Sequence, residues 1–347
     1  MVQIIVTPGS GEGRARATAR SLARALTGGG YGVHVSTFSD LKSLFRWTVT
    51  CDAVFSHLLC VGGDSTQSVA AGAALRLGVP LLPVPNGFGN MFARAFGHTD
   101  TPEAVLALLD HGEVRSIDLG RVGTDLFLSH KSYGPLQQIE DRVEGIREQL
   151  RSRALRRFAY YMVAARYLLE SPLPAIRLDV DGERVADDAV MVTVANVEAY
   201  RGFLSLTPSA LPVDGLFDVF VMPRRTKAGL WMALLKLWLG APGCWDGITL
   251  CRGRRIRVAV DGAPHDEIRT LPGAIRVLVP PGSVERLVER SAAAPAPAPV
   301  APRRLTGRLS RESDGRGRMP AGRARASRPA PRGRSRSRPA VGRDARD

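Results

Sequence analysis

Five consecutive residues, Gly62-Gly63-Asp64-Ser65-Thr66, combine the side-chain types that phosphate chemistry needs. The apolar runs Ala53-Val54-Phe55 and Leu58-Leu59-Cys60-Val61 before them predict a buried strand. The run Ser68-Val69-Ala70-Ala71-Gly72-Ala73-Ala74-Leu75 after them predicts a helix. A strand that turns into a helix through two glycines presents free backbone N–H groups at the helix start. Orphan donors and the helix dipole both favour an anion there. Glycine lets that backbone come close to the ligand. Asp64 is the unusual member. A carboxylate beside phosphates is repulsive unless it holds Mg²⁺ through water or takes a proton from a hydroxyl. Together these features point to phosphoryl transfer from a nucleotide, although Gly-Gly-Asp alone also makes ordinary turns.

The elements that must position this loop read in chain order. Residues 2–6 are an apolar, β-branched strand, followed by the turn Thr7-Pro8-Gly9-Ser10-Gly11. Residues 14–26 carry Ala15, Ala19, Leu22, Ala23 and Leu26 on one helical face, and Gly28-Gly29-Gly30 ends that helix. A second strand is expected over 31–37, then a helix capped by Ser39-Asp40. Leu81-Leu82-Pro83-Val84 is a further strand, leading into the glycine-rich turn Pro85-Asn86-Gly87-Phe88-Gly89-Asn90. Strands alternating with helices imply a parallel, doubly wound sheet, which binds ligands at the carboxyl ends of its strands. The turns at 7–11, Thr37, 62–66 and 87–90 all fall at that edge.

From Arg115 the pattern changes to short strands, at 116–122, 176–180, 190–195, 217–221, 256–260 and 275–279, with Asp181-Gly182 as a hairpin turn and a helical stretch over 139–169. The fold class is therefore α/β: a doubly wound nucleotide-binding domain (1–115), an antiparallel β-sandwich domain (116–290) and a disordered basic tail (291–347). The tail is rich in Arg, Pro, Ser and Gly and has almost no large apolar residues to offset the entropy of folding. It carries +11 of the chain's net +15, so the remainder is only modestly basic at +4. Lacking aromatic residues to stack on bases, the tail fits contact with an anionic membrane better than specific nucleic-acid recognition. Cys51, Cys60, Cys244 and Cys251 show no metal-type pairing, and the six histidines form no ligand-spaced cluster. With no leader pattern at the start and no apolar run of membrane length, a cytoplasmic protein is expected. The helix over 229–240 is apolar nearly all round, with Trp231 and Trp238; it reads as a core helix or as a membrane-surface element.

These segments resemble the bacterial diacylglycerol kinase catalytic family, lipid kinases related to sphingosine kinases and, more distantly, to NAD kinases. The resemblance spans roughly residues 2–289. Thr7-Pro8-Gly9-Ser10-Gly11 is similar to the family's Asn-Pro-x-Ser-Gly, and Gly62-Gly63-Asp64-Ser65-Thr66 to its Gly-Gly-Asp-Gly-Thr. Gly87-Phe88-Gly89-Asn90-Met91-Phe92-Ala93-Arg94 resembles Gly-Thr-Gly-Asn-Asp-Phe-Ala-Arg. The segment from Ala195 through Asn196 and Tyr200 to Gly202 resembles Asn-x-x-x-Tyr-Gly-Gly, and Asp214-Gly215-Leu216-Phe217-Asp218-Val219 resembles Asp-Gly-Leu-Leu-Asp-Val. The resemblance implies an ATP-dependent kinase that phosphorylates the hydroxyl of diacylglycerol or a related lipid at the membrane surface. ATP contacts carry over to Thr7, Pro8, Gly9, Ser10, Gly11, Thr37, Gly62, Gly63, Asp64, Ser65, Thr66, Gln67, Ser68 and Phe88. A structural Mg²⁺ carries over to the Asp214 carboxylate with the carbonyls of Leu211 and Leu216. A location on the inner membrane face and a homodimer are further expectations.

Four positions depart from the family pattern. The Asp-Gly-Glu motif, whose Glu is assigned as proton acceptor, is here Asp261-Gly262-Ala263, and a methyl group accepts no proton. Loss of a general base typically costs ~10²–10⁴ in rate. Asp64 and Asp261 are the expected catalytic carboxylates, with Asp266 and Glu267 as nearby substitutes. Ser65, Phe88 and Met91 replace a glycine, a threonine and a carboxylate. The alternative is a catalytically weakened lipid- or nucleotide-binding protein on the same scaffold. An NAD kinase is less favoured, because no nicotinamide-adenine subsite is found and the Asp214 motif points to lipid kinases.

Overall fold

The computed structural model describes residues 1–7, 14–87, 89–135, 138–139, 162–163, 166–167, 170–198, 200–201, 204–239 and 247–294. The turn residues 8–11, Phe88, Gly202, most of 139–169 and the tail from 295 lie outside them.

The first half builds as its apolar pattern dictates. Strand β1 (Val2–Val6) is buried throughout. Helix α1 (Ala15–Gly28) buries Ala15, Ala19, Leu22 and Leu26 at three- and four-residue spacing. Strand β2 (Val33–Thr37) starts two residues later than expected. Helix α2 (Leu41–Thr50) is held by a reciprocal cap: the Ser43 N–H donates to the Asp40 carboxylate and the Asp40 N–H to the Ser43 hydroxyl. Then come β3 (His57–Gly62), α3 (Asp64–Leu77), β4 (Leu81–Pro85), α4 (Met91–Phe96) and α5 (Pro102–His111). The apolar triplet Ala53-Val54-Phe55 is not part of β3, which corrects the longer strand expected from the sequence. Val54 is 87% exposed, and only His57 onward finds partners along β1.

The order β2-β1-β3-β4 is parallel throughout. Both faces are covered, as a parallel sheet requires. Alternation along β1 sends Ile4 to a core with Leu22, Leu26 and Leu108, and Ile5 to a core with Leu58, Ala70 and Phe92 on the other face.

The second half is antiparallel. It comprises β5 (Glu113–Val122), β6 (Asp125–Phe127), β7 (His130–Tyr133), β8 (Ile176–Val180), β9 (Glu183–Ala195), the short pair β10 (Tyr200–Arg201) and β11 (Leu204–Ser205), β12 (Phe217–Pro223), β13 (Thr249–Gly253), β14 (Arg255–Val260) and β15 (Asp266–Val279). Helices α6 (Lys227–Leu239) and α7 (Ser283–Ala293) complete the described elements. Asp181 and Gly182 take φ of 51° and 91°, the left-handed pair that closes a two-residue hairpin between β8 and β9. Ile176, Leu178, Val192, Val194, Phe217, Val219, Ile256, Val258 and Ile268 form its core.

Strand β15 joins the halves. It pairs antiparallel with β14 and β5, and parallel with β4 at Val277 opposite Leu81. Its register shifts between Leu271 and Ile275, where Gly273 has φ of 56°.

Candidate functional site

The register of the parallel sheet decides which loops meet. Val6 pairs with Thr37 on one side and Val61 on the other, and Gly62 pairs with Pro85. Thr7, Thr37, Gly63-Asp64 and Asn86-Gly87 therefore leave the sheet at one edge, the carboxyl edge. The Thr7 and Thr66 hydroxyls are 3.0 Å apart, tying the first loop to the third. The Asn86 N–H donates to the Gly62 carbonyl at 3.0 Å, and so does the Gln67 side-chain amide at 3.0 Å. Thr66, Gln67 and Ser68 are buried beneath the loop, whereas Thr37 is exposed.

Asp64 opens α3 and Gly63 is its cap; no side chain caps this helix. The first-turn amides are thus turned to the loop cluster, the arrangement that suits an anion. The Asp64 carboxylate reaches to the second glycine-rich loop, where it accepts the Phe92 N–H at 3.3 Å. A β-carbon on Gly89 would stand 2.9 Å from Asp64 Oδ2, so the loop backbone passes close over the acid. Asn90 holds that loop in shape: its Oδ1 accepts the Gly87 N–H at 2.7 Å and its Nδ2 donates to the Gly87 carbonyl at 2.9 Å. Asn90 itself has φ of 49°, a left-handed conformation that asparagine tolerates. Met91 turns into the core and gives the loop no charge.

The second cluster lies where β5, β15 and the Asp214 turn meet. Asp118, buried on β5, accepts the Gly215 N–H on Oδ2 at 2.6 Å and the Gly273 N–H on Oδ1 at 2.7 Å. Asp214 Oδ1 accepts the Leu216 N–H at 3.0 Å, and Oδ2 lies 3.5 Å from the Arg252 guanidinium. Arg252 also pairs with buried Asp218, whose Oδ1 accepts the Ser209 hydroxyl at 2.6 Å. Burial pushes the Asp214 carboxyl above its ordinary range, and the nearby Asp218 and Asp118 charges add to that rise. Burial likewise raises Asp218. Three carboxylates against two guanidinium groups, Arg252 and the cavity-lining Arg254, leave one negative charge over, and a turn of carboxylate and carbonyl oxygens is the donor set a hard cation takes. Backbone amides already take both Asp118 oxygens and Asp214 Oδ1, and among the described residues no three acidic, Cys or His side chains gather as a metal site. A cavity of about 550 Å³ opens beside them, lined by Ser116, Asp118, Val213, Asp214, Gly215 and Arg254 among others.

The sequence reading missed Asp118, although a lone acid between Ile117 and Leu119 in an apolar strand is the signal for it. It also missed the role of Asn196 within the antiparallel half: its side-chain amide donates to the carbonyls of Asp118 and Leu128 at 2.8 and 2.9 Å. Leu128 in turn donates its N–H to Ser68 Oγ at 3.3 Å.

Asp261 occupies the β14–β15 turn with φ of 50°. Its Oδ1 accepts the Ala175 N–H at 2.8 Å and its own N–H donates to the Ala175 carbonyl, so one carboxylate oxygen serves the turn. Glu267 faces away, holding Arg255 and Arg269, which keep its carboxyl at about 2. Asp266 faces the other way. Its Oδ2 accepts the hydroxyl of buried Tyr133 at 3.0 Å, beside a cavity of about 320 Å³ that Ala263 also lines. Neither cavity includes Asp64 or Asp261.

Comparison with known proteins covers both halves. Residues 1–122 match the diacylglycerol kinase catalytic domain, and residues 138–279 match the YegS C-terminal NAD kinase beta sandwich-like domain. A diacylglycerol kinase of Mycobacterium tuberculosis is 29% identical over 243 residues, covering 64% of this chain and 76% of that protein. A probable YegS-like lipid kinase of Pseudomonas fluorescens is 31% identical over 242 residues, covering 66% of this chain and 79% of that protein. The fold matches the crystal structure of a diacylglycerol kinase from Bacillus anthracis with a TM-score of 0.61 at 19% identity, over 81% of this chain and 97% of that one. The chain belongs to the diacylglycerol kinase catalytic-domain family and is a lipid kinase by that membership.

Proposed function

We propose that the chain uses Mg²⁺ and ATP to phosphorylate the free hydroxyl of diacylglycerol or a related lipid. The observation that carries this reading is the convergence of Thr7, Thr37, Gly63-Asp64 and Asn86-Gly87 on one sheet edge, with Asp64 spanning from α3 to the second glycine loop. The triphosphate lies on the uncapped start of α3 and on the loop that begins at Thr7. Mg²⁺ neutralises the charge of the phosphates when bound, and phosphoryl transfer then needs little beyond positioning and electrostatics. Asp64 orients the transferring group, and the turn of Leu211, Asp214 and Leu216 holds a structural Mg²⁺. Asp261 remains a candidate through the oxygen that the Ala175 N–H does not take. The lipid is met at a membrane surface, where the basic tail and exposed Trp231 and Met232 of α6 assist; a cytoplasmic membrane face is the location this reading favours. Among the described residues no helix is long and apolar enough to cross a membrane.

Transfer of radiolabel from the γ-position of ATP to diacylglycerol in mixed micelles tests the reading, alongside the thermal shift induced by Mg·ATP. Labelled phosphatidic acid that disappears on chelation of Mg²⁺ is the expected product. A Mg·ATP thermal shift with no transfer to any glyceride or sphingoid lipid would replace the kinase with a nucleotide-binding protein on the same scaffold.

A further inference from the structure

Resting on the lipid kinase reading, we propose that the cavity at the mouth of the antiparallel core receives a neutral, hydroxyl-bearing lipid headgroup, and that Asp266, positioned by Tyr133, accepts the hydrogen bond of its hydroxyl. Asp266 pairs directly with Val258 across β14 and β15, so both point to the same face of the sheet. Val258 is buried in the core, and Ile268, two residues along β15, is buried beside it. Asp266 thus extends the core face to its open end. Asp266 is exposed at that end, so water serves its free oxygen until a ligand displaces it. One oxygen has its partner, the hydroxyl of Tyr133, which is itself 5% exposed. The other, Oδ1, accepts no hydrogen bond from any described group, and an ionised carboxylate offers only acceptor sites. The complementary ligand is a donor.

The lining sets the class of that donor. Among the described residues no arginine or lysine borders the cavity, so a phosphorylated headgroup would meet the carboxylate with no countercharge from them. Val258, Val260, Ala263 and Pro264 supply apolar wall suited to a glyceride backbone. The methyl of Ala263 leaves room where a longer acid would intrude. At about 320 Å³ the space is within the lower range of small-ligand sites. Glu267 is excluded from the role, because alternation along β15 turns it to the opposite face and two arginines occupy it.

The test is calorimetric titration of the full chain with dihexanoylglycerol and with its acetyl-capped derivative, in parallel with steady-state transfer from ATP. The wild type is expected to bind the free diglyceride and not the capped one. Asp266→Ala should weaken binding ~10- to 100-fold, the worth of a hydrogen bond to a charged group. Tyr133→Phe, which leaves the carboxylate and removes its anchor, should cost ~2- to 10-fold. In turnover both should raise the KM for lipid and leave the KM for ATP unchanged, a split that a general loss of structure does not produce. Asp266→Asn keeps the side-chain shape and carries the test if the alanine variant fails to fold. Equal affinity for the capped lipid, or unchanged lipid binding and KM in both Asp266 variants, overturns the site while leaving the kinase intact. A wild type that binds the diglyceride through Asp266 yet transfers no phosphate keeps the site and overturns the kinase reading.

Discussion

Gly87 lies against Gly63 so closely that a β-carbon on Gly87 would come within 2.4 Å of the Gly63 Cα. The two glycine-rich turns, which leave neighbouring strands, are in backbone contact, and only residues without side chains permit it. Gly87→Ala must push the turns apart, since the obstacle is backbone and not the flexible end of a side chain. Overpacking of this kind costs about 1–3 kcal/mol, and the same displacement should remove most of the affinity for ATP. Gly72→Ala is the control. Gly72 lies within α3, where its β-carbon would meet Leu126 Cδ1 of β6 at an ordinary 3.5 Å, and alanine in a helix gains up to ~1 kcal/mol over glycine. Urea midpoints and ATP titration of the two variants check the contrast; equal behaviour would mean that the turns need no close approach.

Asp64→Asn keeps the acceptor that meets the Phe92 N–H and deletes only the charge. If the acid acts on the transferring group, kcat should fall by ~10²–10⁴ with the dissociation constant for Mg·ATP little altered. Single-turnover transfer beside equilibrium ATP binding separates the two. A variant with kcat close to wild type would remove Asp64 from the chemistry and leave it as a brace between the turns.

The parallel half was legible because β1, β3 and β4 are buried on both faces and read as apolar runs, while the edge strand β2, only partly buried, was marked by the Ser39-Asp40 cap that follows it. Val2–Val6 lies where the pattern put it, and the strand expected over 81–84 runs one residue further, to Pro85. The same cue misled at Ala53-Val54-Phe55, an apolar triplet that exposes Val54 because β1 offers partners only from His57 onward. In the antiparallel half, His130-Lys131-Ser132-Tyr133 carries no strand signal and becomes β7 only by pairing with Val192–Ala195, some sixty residues away. Tyr133 was invisible as a site residue, and Asp118 showed only as a lone acid in an apolar strand, for a related reason. Each gains its meaning from a partner more than ninety residues distant, Gly215 and Asp266 respectively.

The outer face of the antiparallel sheet holds a row of arginines. Arg255 pairs across strands with Arg269, and Arg269 with Arg121, all three exposed. Like charges directly opposite one another destabilise a sheet. Glu267 bridges Arg255 and Arg269, and their hydrogen bonds lower its carboxyl from 4.5 to about 2. A depressed acid contributes stability that is present above the unfolded value of 4.5 and is lost as pH falls through about 2. Glu267→Gln should therefore lower the Tm at neutral pH, with a gap that narrows in high salt and closes towards pH about 2. Carboxyl-detected NMR titration gives the midpoint directly, and a value near 4.5 would show that the bridge is not formed in solution.

Arg252 pairs with the carboxylates of Asp214 and Asp218, Arg254 lines the same cavity, and Asp118 is close by with its own oxygens committed to backbone amides, so three carboxylates face two guanidinium groups. Desolvation makes that imbalance costly, and a divalent cation at the Asp214 turn would relieve it. Mg²⁺ should raise the Tm of the wild type, and chelation should reverse the gain. Asp214→Asn removes one negative charge and the single carboxylate ligand at once, so it should abolish the Mg²⁺-dependent gain while raising the metal-free Tm. Asp118→Asn is the comparison. It places an amide donor against one of two backbone N–H groups in a buried position, and should lower the metal-free Tm by leaving that N–H unsatisfied, a loss of about 1–3 kcal/mol. An Asp214→Asn variant that keeps the full Mg²⁺ gain would move the cation away from this turn and onto the phosphate loops alone.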